Sequence, residues 1–189
     1  MLVYKDAISE DELFTDAFVI TGKTEKTAKT EEVDPFIYEV DCKMITVGPT
    51  EVNTGANASA EDAEEALEDG SSLVNNVIYS NRLQESSKFD KKSYMVYIKG
   101  YLKAIDARLK KLAEAKNNDP ESKEFKRSQS FQKDAQAFVL KVVKNIGDYD
   151  FYTGESMNPD GMIVLLNYRA DGITPYLSFF RDGLTEMKV

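Results

Sequence analysis

Apolar residues crowd most densely between Phe151 and Phe180, where the chain reads FYTGESMNPDGMIVLLNYRADGITPYLSFF. Met162 to Tyr168 is almost continuously apolar, which predicts a strand buried on both faces in the middle of a sheet. Ile173 to Phe180 predicts a second strand. Arg169-Ala170-Asp171-Gly172 lies between them, with Asp-Gly supplying the freedom a hairpin loop needs. Pro175 has no amide hydrogen, so the second strand is expected to begin at an edge or a bulge.

The same reading applies from the start of the chain. Met1 to Ile8 predicts a short strand, with Leu2, Tyr4 and Ile8 as its apolar members. Ser9-Glu10-Asp11-Glu12 reads as an acidic turn, and Ala17 to Ile20 carries the next strand signal. Residues 21–34 are polar and repetitive, which predicts a flexible insertion. Phe36 to Val47 predicts one bent strand or a short hairpin. Residues 48–70 hold six acids between Glu61 and Asp69 without a base, and are expected to form a mobile acidic loop. Leu73 to Leu83 returns to a strand pattern through Val74, Val77, Ile78 and Tyr79.

Two helices follow. Asp90 is placed to cap the first, Asp90 to Ala115. Its stripe is Tyr94, Ile98, Tyr101, Ile105, Leu109 and Leu112, inside a wedge of roughly 80° at about 100° per residue. Asn117-Asn118-Asp119-Pro120 ends it. The second helix is expected from about Glu121 to Ile146, with Phe131, Ala135, Phe138, Val142 and Ile146 on one face and Gly147 as its stop. A short polar connection makes the two antiparallel neighbours, a hairpin over residues 90–146. The 189 residues suffice for one core, so a single domain over 1–189 is expected.

Composition removes several function classes. Histidine is absent, and with it the usual general base and the commonest transition-metal ligand. One cysteine, Cys42, leaves no internal disulfide and no ordinary zinc site. The net charge of −9 argues against nucleic acid as the main partner. No apolar run reaches membrane-spanning length, and MLVYKDAISEDE lacks a secretory layout, so a cytosolic protein without membrane insertion is expected. Ala17 to Thr24 fits a loose phosphate-binding loop pattern, but Phe-Val-Ile fills the loop and no apolar stripe follows. A strand running into an insertion is the plainer reading. Serine and threonine have no histidine to activate them. A carboxylate pair such as Glu12 and Glu155 would do acid–base work only inside a pocket that the sequence does not reveal.

The first helix is more informative. Lys92, Lys99, Lys103 and Lys110 fall at roughly 140–180° from Tyr94, opposite the apolar stripe. Eight bases oppose two acids between Lys88 and Lys111, inside an acidic protein. The plain reading is a solvated face; the sharper one is a basic ridge that meets an acidic protein surface.

Taken together the motifs resemble the translationally controlled tumour protein family over nearly the whole chain. The resemblance is carried by Gly55-Ala56-Asn57-Ala58-Ser59-Ala60-Glu61, Phe151-Tyr152-Thr153-Gly154-Glu155 and Asn158-Pro159-Asp160-Gly161-Met162. Tyr168-Arg169, Thr174-Pro175-Tyr176 and Phe179-Phe180-Arg181-Asp182-Gly183-Leu184 extend it. It implies an α+β fold: a β-tent of small, mainly antiparallel sheets with a projecting α-helical hairpin, similar to Rab-exchange-factor-like folds but without their zinc. It implies a non-enzymatic, monomeric, cytoplasmic binding protein of growth and survival control, with no required cofactor. The implied partners are a Ras-like small GTPase such as Rheb, through Glu12, Tyr79 and Glu155, and tubulin or microtubules, for which the lysine ridge is the candidate surface. Weak calcium binding is implied as well, with Asn57 and Asp150 as candidate ligands. Tyr79 stands where the family is expected to carry Met or Leu.

Overall fold

The structure, a computed structural model, describes residues 1–21, 36–48 and 71–189. The predicted flexible insertion apart from Thr21, the predicted acidic loop apart from Gly48, and Asn57 lie outside the described residues. Three sheets and two long helices make up the rest. β1 (Leu2–Asp6), β2 (Glu12–Thr15) and β11 (Leu184–Lys188) form a three-stranded sheet in the order β11-β1-β2. β3 (Ile20–Thr21), β4 (Ile37–Asp41), β7 (Gln84–Glu85), β8 (Asp150–Thr153), β9 (Val164–Tyr168) and β10 (Pro175–Phe180) form a six-stranded sheet in the order β3-β4-β10-β9-β8-β7. β5 (Met44–Val47) and β6 (Ser72–Asn75) make a separate two-stranded ribbon. Every strand pair is antiparallel.

β9 sits where its apolar run demands. Leu166 faces Leu177 of β10 on one side and Asp150 of β8 on the other, and Met162 to Leu166 are all buried. β10 is also interior, between β9 and β4, so Pro175 lies at neither an edge nor a bulge. It is tolerated as the first residue of its strand, where only its carbonyl is used, accepting from Cys42 N at 2.9 Å. The preceding turn is held by Asp171, whose side chain accepts from the amides of Ile173 and Thr174 and from the Thr174 hydroxyl, with Gly172 at φ 71°.

Residues 36–47 form neither a hairpin nor one strand. The chain leaves the large sheet after Asp41, and β5 pairs with β6 in the ribbon. Three further expectations are corrected. Glu12 opens β2 instead of closing a turn, and the strand expected at Ala17–Ile20 is displaced: the chain turns after Thr15 and pairs with β4 only at Ile20 and Thr21. The strand expected over Leu73–Leu83 stops at Asn75, and α1 (Asn76–Ser80) follows. The Asn75 side chain accepts from Val77 N at 3.0 Å and Ile78 N at 3.2 Å, so a single cap turns β-branched residues into a helical turn with Val77 buried.

The helical hairpin forms as its periodicity requires. α2 (Lys91–Ala115) starts at a capping box between Asp90 and Ser93, and α3 (Lys123–Lys144) starts at Ser122. Tyr94, Ile98, Tyr101, Ile105 and Leu109 are buried as expected. The stripe then closes on Ala113, and Leu112 is 39% exposed. Arg108 still reaches the carbonyl of Asp182, at 3.1 Å. Ala113 lies about 100° round from Leu112 and is buried in its place. Ile146 falls in a short 3-10 turn after α3 and is half-buried.

An aromatic chain joins the layers. Tyr4 stacks on Phe14 at 4.4 Å, Phe14 meets Phe179 at 4.3 Å, and Phe180 touches Phe36, Tyr101 and Phe138. The small sheet, the large sheet and both helices therefore share one core. No helix among the described residues is long and apolar enough to cross a membrane.

Candidate functional site

Two acidic residues singled out in the sequence, Glu12 and Glu155, lie on neighbouring segments because a third acid binds those segments together. β1 ends at Asp6, which is 1% exposed. Its carboxylate accepts from Ile8 N, Ser9 N, Ser9 Oγ and Met162 N at 2.7–3.3 Å. Glu10, at φ 64°, completes the reversal, and Glu10 N donates to Asp6 O. The turn presents Asp11 to the segment after β8. Asp11 accepts from Ser156 Oγ at 2.6 Å and Ser156 N at 3.3 Å. This approach requires a glycine opposite: a Cβ at Gly154 would stand 2.3 Å from Asp11 Oδ2.

The third candidate joins through a salt bridge. After α1 the chain passes through Arg82, at φ 52°, whose amide donates to the carbonyl of Tyr79. The Arg82 guanidinium donates to Glu155 at 3.0 Å, with both side chains more than half exposed. The Tyr79 ring is 54% exposed. Glu12, Asp11, Ser156, Glu155, Arg82 and Tyr79 thus sit on one run of connected segments. Among the described residues its only carboxylate paired with a cation is Glu155, and that exposed pair is weak. The Asp11–Ser156 tie, Gly154 and Arg82 were not singled out in the sequence. The three acids of the turn at residues 10–12 were the available signal.

The remaining candidates fall elsewhere. Lys92, Lys99, Lys103 and Lys110 are all exposed on α2. Lys110 is paired with Asp106 at 2.6 Å, while Lys92, Lys99 and Lys103 form no ion pair among the described residues. Asp150 opens β8 and lies 3.4 Å from Lys88 Nζ. Among the described residues no group of three or more His, Cys, Asp or Glu residues is arranged to hold a metal ion.

Arg127 and Arg169 fasten the frame around these surfaces. Arg127 Nε donates to both Asp182 oxygens at 2.7 and 2.9 Å and its Nη1 to Asp134 at 2.6 Å, tying α3 to the turn before β11. Burial opposes the Arg127 charge, but the two carboxylates outweigh it and hold the guanidinium's pKa above its usual value. Arg169 donates to Asp41 and Glu39 and lies 4.0 Å from the Tyr176 ring centre. Burial pushes the Cys42 thiol up to about 11 and the Tyr176 phenol up to about 12.

Small antiparallel sheets, a helical hairpin and a polar face carried on turns define an α+β protein of the kind represented by solved tumour-protein folds. The chain belongs to the translationally controlled tumour protein family, whose model matches residues 1–185. It is 53% identical over 189 residues to the homolog from Schizosaccharomyces pombe, covering all of this chain and 99% of the other. It is 50% identical to the homolog from Candida albicans, with both chains fully covered. The solved structure of the S. pombe protein p23fyp superposes with a TM-score of 0.73 at 52% identity over the whole of both chains. The Caenorhabditis elegans structure superposes with a TM-score of 0.63 at 25% identity, covering all of this chain and 99% of that one.

Proposed function

We propose that the chain is a non-enzymatic cytoplasmic binding protein of growth and survival control whose principal face, built on Glu12, Tyr79 and Glu155, engages a Ras-like small GTPase similar to Rheb. The observation that carries this reading is the Asp11–Ser156 tie, which holds the segments of Glu12 and Glu155 side by side. An exchange factor needs no covalent chemistry; it binds the nucleotide-free GTPase better than the loaded one. Exposed carboxylates can compete for Mg²⁺ or for the phosphate-binding lysine of the partner. Glu12→Lys should weaken capture of nucleotide-free Rheb about tenfold, and the interaction should depend on the GTPase's nucleotide state. Equal capture of the loaded and empty forms, or no effect of Glu12→Lys, would overturn this reading.

A second surface is favoured by Lys92, Lys99 and Lys103, exposed and without ion pairs among the described residues. It suits an acidic partner such as tubulin. Changing Lys92, Lys99, Lys103 and Lys110 to Glu should abolish co-sedimentation with microtubules while Glu12→Lys leaves it nearly unchanged. A folded four-site variant that still co-sediments like the wild type would reduce the ridge to a solvated helix face. Calcium binding, with Asn57 and Asp150 as proposed ligands, is expected to be weak, in the range of about 10⁻⁴–10⁻³ M. Titration calorimetry on the full chain measures it.

A further inference from the structure

The outer side of the helical hairpin is grooved. A cleft of about 410 Å³ runs between α2 and α3. Ile98, Phe131, Ala135 and Val139, all buried, form its floor, and Ala135 keeps that floor deep. Two large apolar side chains stand at its edges with solvent beside them: Met95, 36% exposed, and Leu140, 63% exposed. Leaving such groups in water beside an open apolar cleft is unfavourable, by about 25 cal/mol per Å² of apolar surface.

The rim is chemically one-sided. Lys99 and Lys103 border the cleft on the α2 side, one helical turn apart, and neither is neutralised by an ion pair among the described residues. Across from them the α3 rim offers Gln132 and Gln136, also one turn apart. At the far end Asp106 gives one carboxylate oxygen to Lys110, and its other oxygen, Oδ1, is buried without a hydrogen-bond partner among the described residues.

From these features we infer that the α2/α3 cleft is a docking groove for an amphipathic, acidic helix of a partner protein. An apolar ridge at i, i+3 or i+4 and i+7 fills the floor between Met95 and Leu140. Carboxylates four residues apart on the partner match Lys99 and Lys103, whose spacing is the same. Charge makes the choice of partner selective. In a protein of net charge −9, an acidic helix is repelled by most of the surface and attracted by this rim. The inference deepens the acidic-partner reading of the lysine ridge and rests on it for the sign of the partner's charge, but it places the binding energy in the cleft rather than in the charges.

The test uses the full chain and two synthetic helices of about four turns. One carries leucines on one face flanked by glutamates, and the other is its twin with lysines in place of the glutamates. Fluorescence anisotropy reads affinity, and amide chemical shifts locate the site. The glutamate peptide is expected to bind saturably, with the shifts centred on Ile98, Lys103, Ala135 and Val139. Leu140→Glu, on an exposed side chain, should weaken it about tenfold. Lys99→Glu with Lys103→Glu should weaken it about as much and improve binding of the lysine twin. Circular dichroism checks that each variant is folded. No saturable binding of the glutamate peptide, equal binding of the two peptides, indifference to Leu140→Glu or shifts centred elsewhere would each overturn the inference. Microtubule co-sedimentation separates it from the ridge reading. If the four-lysine variant loses microtubules while the glutamate peptide fails to bind the wild type, the ridge stands and the groove falls. If the peptide behaves as expected while the four-lysine variant co-sediments normally, the groove stands and the microtubule reading falls.

Discussion

At Gly154 a methyl group would lie 2.3 Å from Asp11 Oδ2 and 2.4 Å from Asp11 Cβ, and neither atom belongs to the free end of a long side chain. Asp11 cannot retreat without giving up the Ser156 amide and hydroxyl. Gly154→Ala should therefore cost about 1–3 kcal/mol, the usual range for overpacking. Urea unfolding measures this. Asp11→Gly should cost less on the Gly154→Ala background than on the wild type, because the collision is then gone. Additive losses would show that Asp11 is not what Gly154 accommodates. The same logic holds at Gly183, where an added Cβ would stand 2.0 Å from the Tyr101 hydroxyl. Both glycines lie within stretches that carry the family resemblance, and both are there for what a neighbouring chain segment brings close.

Among the elements, α1 is the one that local composition least explains. Leu73 to Leu83 is rich in residues that favour strands, and the first part does pair, Val74 with Ile45 and Leu73 with Thr46. The change to helix happens at Asn75, whose side chain accepts two amide hydrogens of the turn, and at Asn76, whose side chain accepts from Lys43 N at 2.8 Å. Asn75→Ala removes the cap and should cost about 0.5–2 kcal/mol. The amides of Val77 and Ile78 should exchange with solvent faster than those of β9, as hydrogen exchange followed by NMR will read. Unchanged protection would mean that burial of Val77 alone holds the turn. α2 and α3 need no such outside help, since each has a side-chain cap and a buried stripe at helical spacing.

For the whole molecule, the buried acids that keep their protons set the alkaline limit. Burial raises Cys42 from 9.0 to about 11 and Tyr176 from 10.0 to about 12, and also raises Tyr94, Tyr97 and Tyr101. A raised value means that the folded chain holds the proton more tightly than the unfolded one. The stability it contributes is fully present below the unfolded value and is lost as pH rises through the folded one. Stability should thus fall from about pH 9 upward, first through Cys42 and then through the tyrosines. Urea midpoints taken at steps of about one unit across this range test it, and Cys42→Ala should remove the earliest part of the fall. At the acid end the sign reverses. Hydrogen bonds from Ser93 and Thr174 hold Asp90 and Asp171 below 3.8, so their contribution is lost only as pH drops beneath that value.

Periodicity was sufficient where burial repeats along one continuous element. The stripe from Tyr94 to Leu109, the face from Phe131 to Val142 and the apolar run of β9 were all legible, because each faces a single core and the spacing records that face. The Asp-Gly turn was legible because its chemistry is local to four residues. The lysine ridge and its separation from Glu12 were legible from helix spacing, but the placement of Glu12, Tyr79 and Glu155 on connected segments was not. That placement depends on Asp11 meeting Ser156 across 145 residues and on Arg82 meeting Glu155 across 73. Contacts between distant turns leave no periodic trace. For the same reason Pro175 looked like an edge residue: the sequence shows the missing amide hydrogen but not which backbone groups the neighbouring strands require. That Ala113, about 100° round from Leu112, would be the buried residue at the end of α2 was not legible either. The two long helices and the strands β9 and β10 were thus written locally, while sheet order, the acidic face and the groove between α2 and α3 came from which surfaces the folded chain brings together.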